Sequence, residues 1–234
     1  MFYHVDYLYW IIMLATLLLS GTASLMTHFT FKKYSKVEAL SHLTGAEAAL
    51  RMLTANRVNN VTVERVDGFL SDHYDPSKKV LRLSPDVYDG TSLSSIGVAC
   101  HEAGHALQDA KQYAPLAMRS ALVPAAIVGN NFAYLIIMIG FLFHAMTMVK
   151  IGIVLFAGAV VFSIVTLPVE WDASARAKQQ MVSCGIVTAS EQSAAGKVLN
   201  AAFLTYVAAA ISSLLMLLYF LFRAGFLGGG HSDD

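Results

Sequence analysis

Charge is scarce in this chain: of 234 residues, 16 are Lys or Arg and 16 are Asp or Glu, and the two sets cancel to a formal net charge of zero. With no basic cluster beyond "FKKYSK", nucleic acid is not expected as a partner. Cysteine is nearly absent as well. Cys100 and Cys184 fit no CxxC pattern, and no function is assigned to them. The opening "MFYHVDYLYW" contains no Lys or Arg, so the first apolar stretch lacks the basic flank of a cleaved signal and reads as a retained anchor. No internal repeat is present.

What abounds is apolar material, 56% of the chain, more than one soluble core of this size needs. Four stretches, roughly 7–29, 121–149, 151–169 and 199–222, approach or exceed the ~20 residues that cross ~30 Å of hydrocarbon as a helix. Basic residues beside a span are held preferentially on the cytoplasmic side. Lys32, Lys33 and Lys36 follow the first span, Arg119 precedes the second, and Arg176 and Lys178 follow the third. This predicts an N terminus outside, the segments 32–120 and 170–198 in the cytosol, and a reducing environment for both cysteines. Lys150, on the expected turn between spans two and three, is the single violation. The C-terminal "RAGFLGGGHSDD" reads as a disordered tail outside. Span two, at about 43 Å, exceeds the bilayer core, so its start near Pro124 is expected to protrude. Asn130 and Asn131 read chiefly as hydrogen-bonding contacts between helices, with a cavity lining as the alternative.

The segment between the first two spans is more polar and suits a small α+β domain. Thr44 with Glu47 three residues later has capping-box spacing, and Leu43, Ala46, Leu50 and Leu53 share a face, which predicts an amphipathic helix over roughly 37–55. Next come β-branched, alternating residues punctuated by Asp67-Gly68 and Asp75-Pro76, predicting two or three short antiparallel strands. Ser84-Pro85 opens a short helical turn, and a longer helix is expected over roughly 92–111.

That longer helix carries "GVACHEAGHALQDA", in which His101, Glu102 and His105 form an HExxH motif. Positions i and i+4 are neighbours on a helix, so both imidazoles can reach one ion, while Glu102, turned by about 100°, stands beside it as a general base would. Random placement of this chain's own histidines and glutamates produces such a motif in roughly 1% of shuffles. Ala103, Gly104 and Ala106 leave room for close packing and for an approaching substrate. Zinc held in this way needs a third protein ligand. Gln108 and Lys111 rule out another histidine on the same helix, and Asp109 is placed for a supporting role at most. The best remaining donor is Glu170 in "TLPVEWDASARA", at the inner end of the third span, where Pro168 can kink or start a helix and Trp171 suits the interface. Asp172 is the alternative ligand, or a carboxylate that orients a histidine.

The blocks "DHYDPSKKVLRLSPDVYDGTSLSSIGVACHEAGHALQ" and "LPVEWDASARA" resemble the YugP-like family of membrane-bound neutral zinc metallopeptidases over most of the chain. The resemblance implies a gluzincin-type endopeptidase with one Zn2+ per chain held by His101, His105 and Glu170, Glu102 as catalytic base, and a peptide or protein substrate. Ser174 stands where gluzincins frequently carry Asp, leaving open what supports a histidine there. The resemblance also offers Lys79, Val80, Leu81, Arg82 and Leu83 as an edge strand for substrate pairing, although ordinary core pairing fits the same pattern. His73, Tyr74, Tyr88 and Arg176 are candidates for stabilising an oxyanion.

The expected fold is a mainly α membrane protein with about four transmembrane helices and a small zincin-like α+β cytosolic domain. Its parts are 1–31 (span one), 32–120 (HExxH domain), 121–169 (spans two and three), 170–198 (the segment with the third ligand) and 199–234 (span four and tail). The expected location is the plasma (inner) membrane of a prokaryote, with the catalytic domain facing cytosolic, extended or unfolded segments. A non-catalytic membrane scaffold with a structural or vestigial zinc site is the alternative. An intramembrane protease ranks last, because polar sequence flanks the motif.

Overall fold

The computed structural model describes residues 7–68 and 71–226. Residues 227–234, most of the expected tail, lie outside the described residues. In chain order the elements are α1 (Tyr7–Tyr34), α2 (Gly45–Ala55), β1 (Thr62–Arg65), β2 (His73–Asp75), β3 (Val80–Leu83), α3 (Pro85–Tyr88), α4 (Leu93–Ala110), α5 (Ala114–Leu142), α6 (Met146–Ser183) and α7 (Ala189–Arg223). The protein is mainly helical with one small sheet. Among the described residues, four helices, α1, α5, α6 and α7, are long and apolar enough to cross a membrane.

The chain divides into two compact units. The first comprises Met1–Thr22, Met118–Leu167 and Tyr206–Asp234. Ile137, Val149, Ile153, Phe156, Met216 and Phe220 are buried together within it, while Phe143 and Val154 are each 71% exposed, as suits side chains facing lipid. Gly129, Gly140 and Gly152 let α5 and α6 approach closely: a Cβ on Gly129 would lie 2.5 Å from the Leu155 carbonyl oxygen. Asn130 and Asn131 are exposed, and among the described residues neither side chain makes the expected hydrogen bond to another helix.

The helix boundaries differ from the expected spans. The turn between α5 and α6 falls at 143–145, where His144 has a φ of 54°, so Lys150 lies within α6 and not on the turn. Pro168 is inside α6, whose 38 residues measure about 57 Å. The segment expected as a separate piece from residue 170 therefore begins as a continuation of the third span's helix. The physical reason is that Glu170–Ser183 is rich in good helix formers, with Ala at 173, 175 and 177, and offers nothing that stops a helix before Gly185, at φ 63°.

The second unit comprises Ala23–Ala117 and Pro168–Thr205. Thr44 and Glu47 make the expected capping box, which starts α2 at Gly45 and not near residue 37. The residues before the cap form turns and one isolated bridge, Glu38 to Ser92, with Leu93 N–H donating to the Val37 carbonyl and Ala39 N–H to that of Thr91. The buried face of α2 is Gly45, Ala48, Ala49, Met52 and Leu53, whereas Leu50 is 54% exposed, so the stripe predicted through Leu50 is displaced by part of a turn.

The sheet is mixed, in the order β1-β3-β2. β1 pairs with β3 in parallel, Thr62 opposite Val80, and β2 pairs with β3 antiparallel, Tyr74 opposite Leu81. All-antiparallel pairing and an edge position for residues 79–83 are both corrected: β3 is the central strand, and Lys79 precedes it with a φ of 53°. β1 and β2 flank β3 on opposite sides, so they do not pair as a hairpin. Central placement explains why Val80, Leu81 and Leu83 are all buried. At the β2–β3 turn, Asp75 Oδ1 accepts from the Ser77 hydroxyl, the Ser77 N–H and the Lys78 N–H. The Ser77 hydroxyl and the Lys78 N–H chiefly hold the Asp75 carboxyl down at about 2.

Leu81 and Leu83 share one core with Met52, Leu53, Ile96, Cys100, Met181 and Ile186. Burial pushes the Cys100 thiol's pKa far up, keeping it an inert core residue. Truncating Leu81, which is 0% exposed, opens a cavity in this core; Leu81→Ala is expected to cost about 2–5 kcal/mol, read as a lowered thermal midpoint in detergent.

Candidate metal centre

α4 starts at Ser92, whose hydroxyl accepts from the Ser95 N–H, and its motif turn is packed against α6. The approach is set by Gly104, where a Cβ would stand 2.6 Å from the backbone oxygen of Ala173. Ala103 and Ala106 are buried in the core too. The small residues of the motif thus admit a neighbouring helix, the close packing expected of them. Because α6 sits so near, Glu170, one turn before Ala173, is delivered to both histidines.

His101 Nε2 lies 3.2 Å, and His105 Nε2 3.6 Å, from the same Glu170 oxygen. One ligand atom from each of the three residues lies within 4.8 Å of the others. Ligands ~2.1 Å from a tetrahedral ion stand ~3.4 Å apart, so both separations match a shared zinc. Glu170 is only 1% exposed. A carboxylate in that setting needs a cation or protonated neighbours, and His105 shows the demand. Burial works against a charged His105 imidazole, but the hydrogen bond and charge of Glu170, helped by the charge of Glu102, outweigh it and raise its pKa. Two imidazoles and one buried carboxylate, with ligand atoms at this spacing, fit a divalent zinc ion.

The outer ring nitrogens are also held. Gln108, fully buried, donates from Nε2 to the Val169 carbonyl and to Asp172, both 2.8 Å away. Since both of those groups only accept, the carboxamide oxygen must face His105, and His105 Nδ1 donates to it at 3.0 Å. That leaves Nε2 as the nitrogen aimed at Glu170 and available to a metal. Ser174 Oγ lies 3.1 Å from His101 Nδ1, the contact that the sequence left open. Asp172 is neither a member of the three-residue cluster nor a direct partner of a histidine. It acts one residue removed, through Gln108, and is itself held by Arg176 Nε at 2.5 Å. The Arg176 guanidinium stacks 5.6 Å from the Tyr113 ring.

The other candidates are engaged elsewhere. Asp109 accepts from the Tyr74 hydroxyl and from Lys79 Nζ, tying α4 to the sheet and not to the histidines. Burial and the Asp109 carboxylate drive the Tyr74 hydroxyl's pKa well up. His73 lies between the Ser71 carbonyl and Arg82, and Tyr88 packs against the core. Among the described residues, none of His73, Tyr74, Tyr88 or Arg176 hydrogen-bonds to His101, His105 or Glu170. Glu102 is half-buried and makes no hydrogen bond or ion pair with a described residue, so its carboxylate is uncommitted. Gln108 is the site residue that sequence reasoning passed over. Its position three residues after His105, hence on the same helix face, was the available signal.

Taken together, these features define a membrane protein of helical class with an HExxH helix and a two-histidine, one-glutamate cluster. The family model described as "Putative neutral zinc metallopeptidase" matches residues 9–225, and the chain belongs to that family. It is 48% identical over 207 residues to "Putative membrane protease YugP" of Bacillus subtilis (strain 168), covering 88% of this chain and 92% of that protein. No solved structure matches it.

Two substitutions test the geometry. Gly104→Val forces α6 away from α4 and is expected to lower zinc content well below one ion per chain, measured by metal analysis of purified protein. Gln108→Leu removes the acceptor that orients His105 and should weaken zinc affinity ~10- to 100-fold in a chelator competition, with the fold retained by circular dichroism.

Proposed function

We propose that this protein is a zinc-dependent endopeptidase of gluzincin type, in which His101, His105 and Glu170 hold one Zn2+ and Glu102 is the catalytic base. The observation that carries the reading is the convergence of both Nε2 atoms on one buried Glu170 oxygen, beside Glu102, whose carboxylate has no hydrogen-bond or ion-pair partner among the described residues. Zinc, when bound, supplies Lewis acidity that polarises a carbonyl and brings the pKa of water toward roughly 7. The chain does the rest. Glu102 accepts the proton of the attacking water on its carboxylate and returns it to the leaving amine nitrogen. Gln108 holds His105 in the tautomer that turns Nε2 inward, Ser174 holds the His101 ring through Nδ1, and Asp172, paired with Arg176, holds Gln108.

Substrate pairing belongs to an edge of the sheet, and β3 is not one. β2 is the edge strand joined to the motif helix, through the Tyr74–Asp109 hydrogen bond, so an extended peptide segment would add there by main-chain hydrogen bonds. In this reading residues 32–120 and 170–198 face the cytosol of a prokaryotic cell across its plasma membrane, with the N terminus outside. The basic flanks of α1 and α6 support that orientation.

Glu102→Gln is expected to retain one zinc per chain and to lower hydrolysis of an unfolded model protein by at least about 10²-fold. Wild-type hydrolysis by a zinc-loaded Glu102→Gln protein would remove Glu102 from the mechanism. A wild-type protein that binds zinc and cleaves nothing would instead favour a scaffold with a structural site.

A further inference from the structure

Outside the metal centre, the second unit holds a cavity of about 610 Å³ framed by α1, α6 and α7. Met26 and Lys33 of α1, Trp171 and Lys178 of α6, and Lys197 and Asn200 of α7 are among its lining residues, with Phe203 and Leu204 beside them. Each of these helices changes from an apolar run to a lysine at this point. No aspartate or glutamate lines the cavity among the described residues, and Lys33, Lys178 and Lys197 form no salt bridge with a described residue. Lys178 Nζ donates to Asn200 Oδ1 at 3.1 Å and lies 5.6 Å over the Trp171 ring. Lys33 Nζ lies 5.4 Å from the ring centre of Tyr34. Three like charges drawn around one hollow repel each other unless an anion joins them.

We propose that this cavity binds the phosphodiester headgroup of an anionic phospholipid. The lysines, with Asn200, meet the phosphate, and the apolar wall of Met26, Phe203 and Leu204 receives the start of an acyl chain. Met26 and Leu204 are 48% and 41% exposed, so that wall is open to a lipid arriving from the side. Charge complementarity accounts for a phosphate of any source, and the apolar wall selects a lipid over a free ion. Trp171, 57% exposed and packed edge-on to Phe203 at 5.3 Å, is the aromatic residue expected at headgroup depth. The proposal stands apart from zinc chemistry.

The test is native mass spectrometry of the full chain in mild detergent, titrated with phosphatidylglycerol or phosphatidylcholine, with inorganic phosphate as competitor. Phosphatidylglycerol should bind at least ten-fold more tightly than phosphatidylcholine, and millimolar phosphate should leave it in place. The triple variant K33Q/K178Q/K197Q should lose that ten-fold preference at an unchanged melting temperature, while K33R/K178R/K197R keeps it. Equal binding of the two lipids by the wild type would overturn the proposal, whatever the variants do. So would displacement of the lipid by phosphate, or an undiminished preference in the glutamine variant.

Discussion

The site depends on one backbone contact. α4 and α6 touch at Gly104 and Ala173 with no room for a Cβ between them, and every donor distance follows from that approach. A glutamate side chain is short, and Glu170 must reach two imidazoles at 3.2 and 3.6 Å with the same oxygen. Moving the helices apart by the width of one methyl group would separate the carboxylate from both. Closeness is made affordable by the alanines around it, since Ala103, Ala106, Ala173 and Ala177 are all buried and offer little bulk to hold the helices apart.

Around that contact lies a polar network whose orientation can be worked out without seeing a proton. Gln108 has two acceptors at its amide nitrogen, so its oxygen is committed to His105, and His105 is committed to presenting Nε2. Arg176 neutralises Asp172, the carboxylate that accepts from Gln108. A buried glutamine, a serine, an aspartate and an arginine are thus all occupied in aiming two imidazoles. Such a network specifies geometry more than it stabilises the fold.

Much of this was legible in advance because it is local. The capping box at Thr44, the helix carrying HExxH and the four apolar runs all depend on neighbours within one or two turns. The choice of Glu170 also came from the chain, through the reasoning that a span must return its polar end to the face that holds the motif. What escaped was non-local. Strand pairing put β3 between two partners, and nothing in "KKVLRL" distinguishes a central strand from an edge. Gln108 shares a helix face with His105, but its importance comes from Val169 and Asp172 on another helix, which the spacing alone does not reveal. Ser174 stands where an aspartate is common, and only the fold shows that a hydroxyl reaches His101. The small residues of the motif hinted at close approach without saying what approaches.

X-ray absorption at the zinc edge of the purified protein tests the central claim most directly. The account predicts a first shell of nitrogen and oxygen at about 2.0–2.1 Å with the outer-shell scattering of two imidazoles. Sulfur scattering near about 2.3 Å, or a shell with a single imidazole or none, would place the metal elsewhere and contradict it.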